Sequence, residues 1–130
     1  MTTPRLSSAD ILTIGLGGTV GSLLRTWVGS GFEGAFPVPT LFVNCLGALA
    51  LALLHSTQHR LHPQGKYLYM VGFCGSFTTV SLFAQETVQL LLHGSVLLGF
   101  LYVISSVLPA LLLVAWIIAR WDPGPGSESA

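Results

Sequence analysis

The chain has 130 residues, with five Lys or Arg, five Asp or Glu and no formal net charge. Apolar residues make up 52% and charged residues 8%, and mean hydropathy is +0.74. A soluble domain carries about 25% charged residues, so this chain lacks the polar surface to face water, and a lipid bilayer is the solvent it suits. Its length fits one domain of several spans at about 20 apolar residues each, and its neutral balance leaves no footprint for nucleic acid.

Charged residues divide the chain. Asp10 and Arg25 bracket fourteen uncharged residues, which predicts a first helix over 9–30. A cleaved signal peptide is the alternative, but Arg25 follows the run without a small-residue cleavage site. As a span, the segment requires Arg25 to be sheltered, because a guanidinium exposed to hydrocarbon costs several kcal/mol. Gly17 and Gly21 form a small-xxx-small pair on the Arg25 face, a pattern for close helix approach. The cluster Gly15, Gly17, Gly18 and Gly21 superficially resembles a nucleotide-binding loop. Position 20 is Val, however, no strand precedes it, and no lysine follows.

Glu33 and Arg60 bracket twenty-six residues, which predicts a second helix over 38–59. Asn44 lies a turn or more inside it and offers two N–H donors; it serves either a permeating group or only a neighbouring helix. Cys45 here and Cys74 further on lie inside apolar segments, without the spacing of a disulfide framework or a zinc site. His55, His59 and His62 read as a solvated helix end in preference to a metal site.

Lys66 and Glu86 bracket nineteen residues, and a third helix is expected over 66–92, broken at its middle. The run Gly72-Phe73-Cys74-Gly75-Ser76-Phe77-Thr78-Thr79-Val80-Ser81 is poor continuous helix. A break at membrane depth is tolerated only where it is buried in protein or lines a cavity. It leaves carbonyls free at a partially negative helix end, which suits a hard cation such as Na⁺. Beyond it, Phe83 and Glu86 stand three residues apart on one face.

Thirty-three residues without Asp, Glu, Lys or Arg follow Glu86. They are too many for one crossing, and His93-Gly94-Ser95 predicts the turn before a fourth helix over 95–120. Tyr102 and Ser106 share one face of it at i, i+4. The tail at 122–130, rich in Pro, Gly and Ser, is expected to be disordered. Hydroxyls, an amide and electropositive ring edges together describe a narrow path for an anion or a small solute.

Three blocks, in order, resemble the Fluc/CrcB fluoride channel family over nearly the whole chain. They are Gly17-Gly18-Thr19-Val20-Gly21-Ser22-Leu23-Leu24-Arg25, Pro39-Thr40-Leu41-Phe42-Val43-Asn44-Cys45-Leu46-Gly47, and Gly72 through Thr79 on to Glu86. The resemblance implies an all-α membrane protein in a bacterial inner membrane, with four transmembrane helices and a broken third. It implies an antiparallel, dual-topology dimer with two pores that lets fluoride leave the cytoplasm passively. It also implies a structural Na⁺ at the dimer centre, held by the backbone carbonyls of Gly75 and Thr78. Asn44, Phe83, Tyr102, Ser106 and Thr40 match fluoride-pathway positions, with the hydroxyls of Thr79 and Ser81 on the same route. Arg25 and Glu86 match structural or vestibule positions.

Two departures stand out. Val80 occupies the position of a second pore phenylalanine, and Ala110 that of a second polar-track serine. Arg5, Arg60, Lys66 and Arg120 fall on one side of four spans, with only Arg25 near the other. The positive-inside rule then puts both termini in the cytoplasm. This bias suggests pairing with an oppositely oriented paralogue, with a homodimer as the alternative. Two other functions compete. A proton-coupled multidrug exporter needs a carboxylate deep in a span, and a non-conducting partner subunit would use its polar residues for association alone.

Overall fold

Lipid offers no hydrogen bonds, so each spanning segment must satisfy its own backbone. The computed structural model describes residues 6–31 and 36–121; Arg5, Glu33 and the tail at 122–130 lie outside them. Four helices among the described residues are long and apolar enough to cross a membrane, and the described residues contain no strand. Helix α1 is Ser8–Ser30 and α2 is Val38–Ser56. The third span, Pro63–Leu92, is divided into α3 (63–77) and α4 (Val80–Leu92). Helix α5 is Val96–Trp121.

The ends follow local chemistry. Ser7 and Asp10 cap α1 reciprocally, with the Asp10 N–H donating to Ser7 Oγ at 3.2 Å and the Ser7 N–H to Asp10 Oδ2 at 2.9 Å. Helix α2 stops at Ser56 instead of running to 59: the backbone leaves the helical region at Thr57, at φ −108° and ψ 8°, and a 3₁₀ turn, Gln58–Arg60, follows. The exposed His55 and His59 are thereby split between two elements, with Gln58 Nε2 3.2 Å from His55 Nδ1. Helix α3 starts at Pro63 and not at 66, since proline is pre-organised for the first helical position. Gly94, at φ 76°, makes the turn between α4 and α5.

Most of α3 is π-helical, over Tyr67–Cys74. This wide, rare form lies flush on α1. A Cβ at Gly17 would strike the Leu68 carbonyl, and one at Gly21 would sit 2.5 Å from the Phe73 carbonyl oxygen. From the other side, a Cβ at Gly72 would come within 2.6 Å of the Ile14 carbonyl oxygen. The glycine pattern of α1 is therefore a backbone-to-backbone seam. Helix α2 packs on α5, and α4 on α5. Val43, Ala52, Cys74, Phe77, Tyr102 and Ile117 form the buried apolar core.

Outside it, leucines and valines face outward along all four spans, as lipid-facing helices require. Trp27 near one end of α1 and Trp116 near the opposite end of the bundle are exposed, where aromatic belts meet the two interfaces.

The seam sets a testable contrast. Gly21→Ala forces backbone apart and is expected to lower stability by about 1–3 kcal/mol. At Gly15 an added Cβ meets nothing within 4 Å, so Gly15→Ala is expected to be neutral or to stabilise by up to about 1 kcal/mol. Thermal unfolding of the purified protein, read by circular dichroism, checks both.

Candidate functional site

The break falls at Thr78 and Thr79, whose backbones are extended at φ, ψ of −80°, 159° and −149°, 120°. In an α-helix the carbonyl of residue i accepts from the N–H of i+4. The Thr78 N–H still does so, donating to the Cys74 carbonyl at 3.2 Å, and its hydroxyl adds a second bond at 3.0 Å. The Thr79 N–H does not; it donates to Asn44 Oδ1 at 2.8 Å, and Asn44 Nδ2 donates to the Thr79 carbonyl at 3.1 Å. Thr79 Oγ1 then caps α4 by accepting from the Leu82 N–H at 3.2 Å, and lies 3.3 Å from Ser81 Oγ. Gly47 lets α2 come this close, because a Cβ there would strike Thr78 Cγ2.

Two half-helix ends meet at this point. The C-terminal end of α3 is partially negative and the N-terminal end of α4 partially positive. Gly75 and Ser81 lie on the outer surface of the chain, and Val80 is 80% exposed. Next to Thr79 and Ser81 runs a cavity of about 580 Å³, lined also by Arg25, Thr26 and Gln85. Half-buried Arg25 thus borders polar groups within the span.

Six residues past Val80, the Glu86 carboxylate accepts from two hydroxyls. Thr40 Oγ1 donates to Oε1 at 2.8 Å and Tyr102 OH to Oε2 at 2.7 Å. Both donors are essentially buried, Tyr102 fully. Its ring is tilted against Phe83 with centroids 5.2 Å apart and meets the edge of Phe36 at 5.5 Å. A cavity of about 870 Å³ opens over this group between the start of α2 and the end of α4, with Gln89 and His93 on its wall. One turn beyond Tyr102, Ser106 Oγ is buried with no hydrogen-bond partner among the described residues.

Thr40, Phe83, Glu86 and Tyr102 are therefore joined in one cluster, and Asn44, Thr78, Thr79 and Ser81 in a second around the break. Asn44 spends both of its amide groups on the backbone of Thr79, and one Nδ2 hydrogen remains. Sequence reasoning passed over Phe36, Gln85 and Gln89. The i, i+4 spacing from Ser81 marks Gln85 on the polar face of α4. Nothing local marks Phe36, whose ring meets Tyr102 across 66 positions of chain.

These features define a multi-pass membrane protein with uncharged donors, a carboxylate and a helix break inside its spans, which is the construction of a permeation path. The chain matches the family described as CrcB-like protein, Camphor Resistance (CrcB), over residues 12–118, and it belongs to that family. It is similar to a protein of Leptospira interrogans named fluoride-specific ion channel FluC, 38% identical over 77% of this chain and 84% of that one. It is likewise similar to the fluoride-specific ion channel FluC of Thermus thermophilus, 40% identical over 78% and 85%. A third relative, fluoride-specific ion channel FluC 2 of Moorella thermoacetica, is 39% identical over 82% and 90%.

The carboxylate cluster is coupled. Thr40→Val and Tyr102→Phe each leave Glu86 one donor and are expected to destabilise by about 1–3 kcal/mol. In a double-mutant cycle they are expected to be non-additive by about 0.5–3 kcal/mol, measured by denaturant unfolding in detergent.

Proposed function

We propose that this chain is a fluoride channel that lets the ion leave the cytoplasm passively, and is not an enzyme. The observation that carries the reading is the match over residues 12–118 to a family whose similar members are named fluoride-specific ion channels. The matched region contains both the break and the Glu86 cluster. Fluoride holds its water tightly, so a path must offer replacement donors. Ser106 Oγ, buried and without a partner among the described residues, and the remaining Asn44 hydrogen are such donors, and the Phe83 ring, packed on Tyr102, offers an electropositive edge. Thr40, Tyr102, Thr79 and Ser81 extend the polar lining, and Arg25 borders the second cavity. A neutral weak acid such as HF enters an acid-exposed cell and ionises inside, and the anion then leaves down its own gradient.

The proposal includes Na⁺ at the break. The carbonyls of Gly75 and Thr78 fit it, because the amides that would cover them, those of Thr79 and Leu82, donate elsewhere. A cation bound there would neutralise the negative end of α3 and tie two chains together.

The dimer is read as antiparallel, in a bacterial inner membrane. Its second subunit is a copy of this chain or an oppositely oriented paralogue. The paralogue is favoured by the one-sided placement of Arg60, Lys66 and Arg120, and by Val80, whose exposed position would present a ring outward to the partner. The same residue and Ala110 support a second reading, a partner subunit without its own conduction. Against an exporter, Asp10 is committed as a helix cap, and Glu86 is bound by two hydroxyls.

Liposomes loaded with potassium fluoride and carrying the purified chain alone test the function. Valinomycin is expected to release fluoride, read with a fluoride electrode, and to leave chloride inside. Retained fluoride from well-folded protein would transfer the activity to a mixed dimer, tested next by co-expression with the paralogue.

A further inference from the structure

We propose that Asn44 and Thr79 are the positioning residues of the cation site, each drawing away the one backbone N–H that would otherwise cover a ligand carbonyl. The inference rests on the Na⁺ reading above and deepens it. If the third span were continuous α-helix, the Thr79 N–H would close onto the Gly75 carbonyl and the Leu82 N–H onto the Thr78 carbonyl. In the folded chain Asn44 Oδ1 takes the first at 2.8 Å, and Thr79 Oγ1 takes the second at 3.2 Å. One capture therefore matches each of the two carbonyls.

The captures are held from the inside. Thr79 is 5% exposed, and Asn44 grips it by a second bond, from Nδ2 to the Thr79 carbonyl at 3.1 Å. Helix α2 brings Asn44 to the break because Gly47 leaves no Cβ in the way of Thr78. Gly75, in contrast, lies on the exposed face. The amides are thus satisfied within the chain, and neither the Gly75 nor the Thr78 carbonyl receives them. An uncovered carbonyl at membrane depth has neither water nor helix to pair with, and a hard cation supplies the missing partner. Asn44 accordingly acts on the cation through backbone, a role separate from donating to an anion.

The test is equilibrium binding of radiolabelled Na⁺ to the purified full-length protein, in N-methylglucamine buffer, on wild type, Asn44→Leu, Thr79→Val and Thr79→Ser. Gel filtration and circular dichroism verify folding. Removing a group that orients a metal ligand costs about 10–100-fold in affinity, and that loss is expected for Asn44→Leu and Thr79→Val. Thr79→Ser keeps the accepting hydroxyl and is expected to bind nearly as wild type. A role confined to the fluoride path predicts unchanged Na⁺ affinity in all three; that result, with saturable wild-type binding, overturns the inference and leaves the Na⁺ reading standing. Absence of saturable binding to the folded wild type overturns both. Should Asn44→Leu fail to fold, the Thr79→Val and Thr79→Ser pair decides alone.

Discussion

Everything in this molecule depends on how two extended residues, Thr78 and Thr79, are tolerated at membrane depth. Unpaired peptide groups in an apolar medium cost about 2–7 kcal/mol each, so a helix interrupted in a bilayer stands only if its neighbours replace the lost bonds. Asn44 does so with both ends of its amide, and Thr79 does so with its own hydroxyl. The break is thus built from α2 as much as from the third span. The negative end of α3 and the positive end of α4 face each other across these two residues.

A break needs a fixed frame, and the glycine seam supplies it. Gly17, Gly21 and Gly72 let the backbones of α1 and α3 meet without intervening side chains. Such contact is favoured in lipid, where association relies on close packing because the hydrophobic effect gives no advantage to helix burial. The π-helical register of Tyr67–Cys74 belongs to this frame, turning Gly72 and Cys74 inward together. The seam holds α3, Asn44 holds the start of α4, and the break is stretched between them.

The second polar cluster follows another rule. A carboxylate in a span requires partners, and Glu86 has two hydroxyls at 2.7–2.8 Å. Thr40, Tyr102 and Glu86 come from three different helices, so the cluster pins α2, α4 and α5 at one depth. Phe83 and Phe36 cover the Tyr102 ring, and the open cavity above leads from the end of the bundle to this point. The outward face bearing Gly75, Val80 and Ser81 is left uncovered by the chain itself. Polar backbone on such a surface is what a second subunit would shield.

The four spans, the break near Thr78 and the turn at Gly94 were legible in the sequence, because hydropathy and glycine placement act locally and lipid forbids most alternatives. So was the shared face of Tyr102 and Ser106, which helical periodicity dictates. The early end of α2 was missed because hydropathy does not register the change of backbone at Thr57, and Pro63 was under-read as a helix start. Residue type alone left Asn44 between an anion ligand and a helix tie. Only the tertiary structure joined it to Thr79, and only it joined Thr40 and Tyr102 to Glu86. Such bonds link residues 16 to 46 positions apart. Their existence depends on the glycine-set approach of whole helices, which no local pattern encodes.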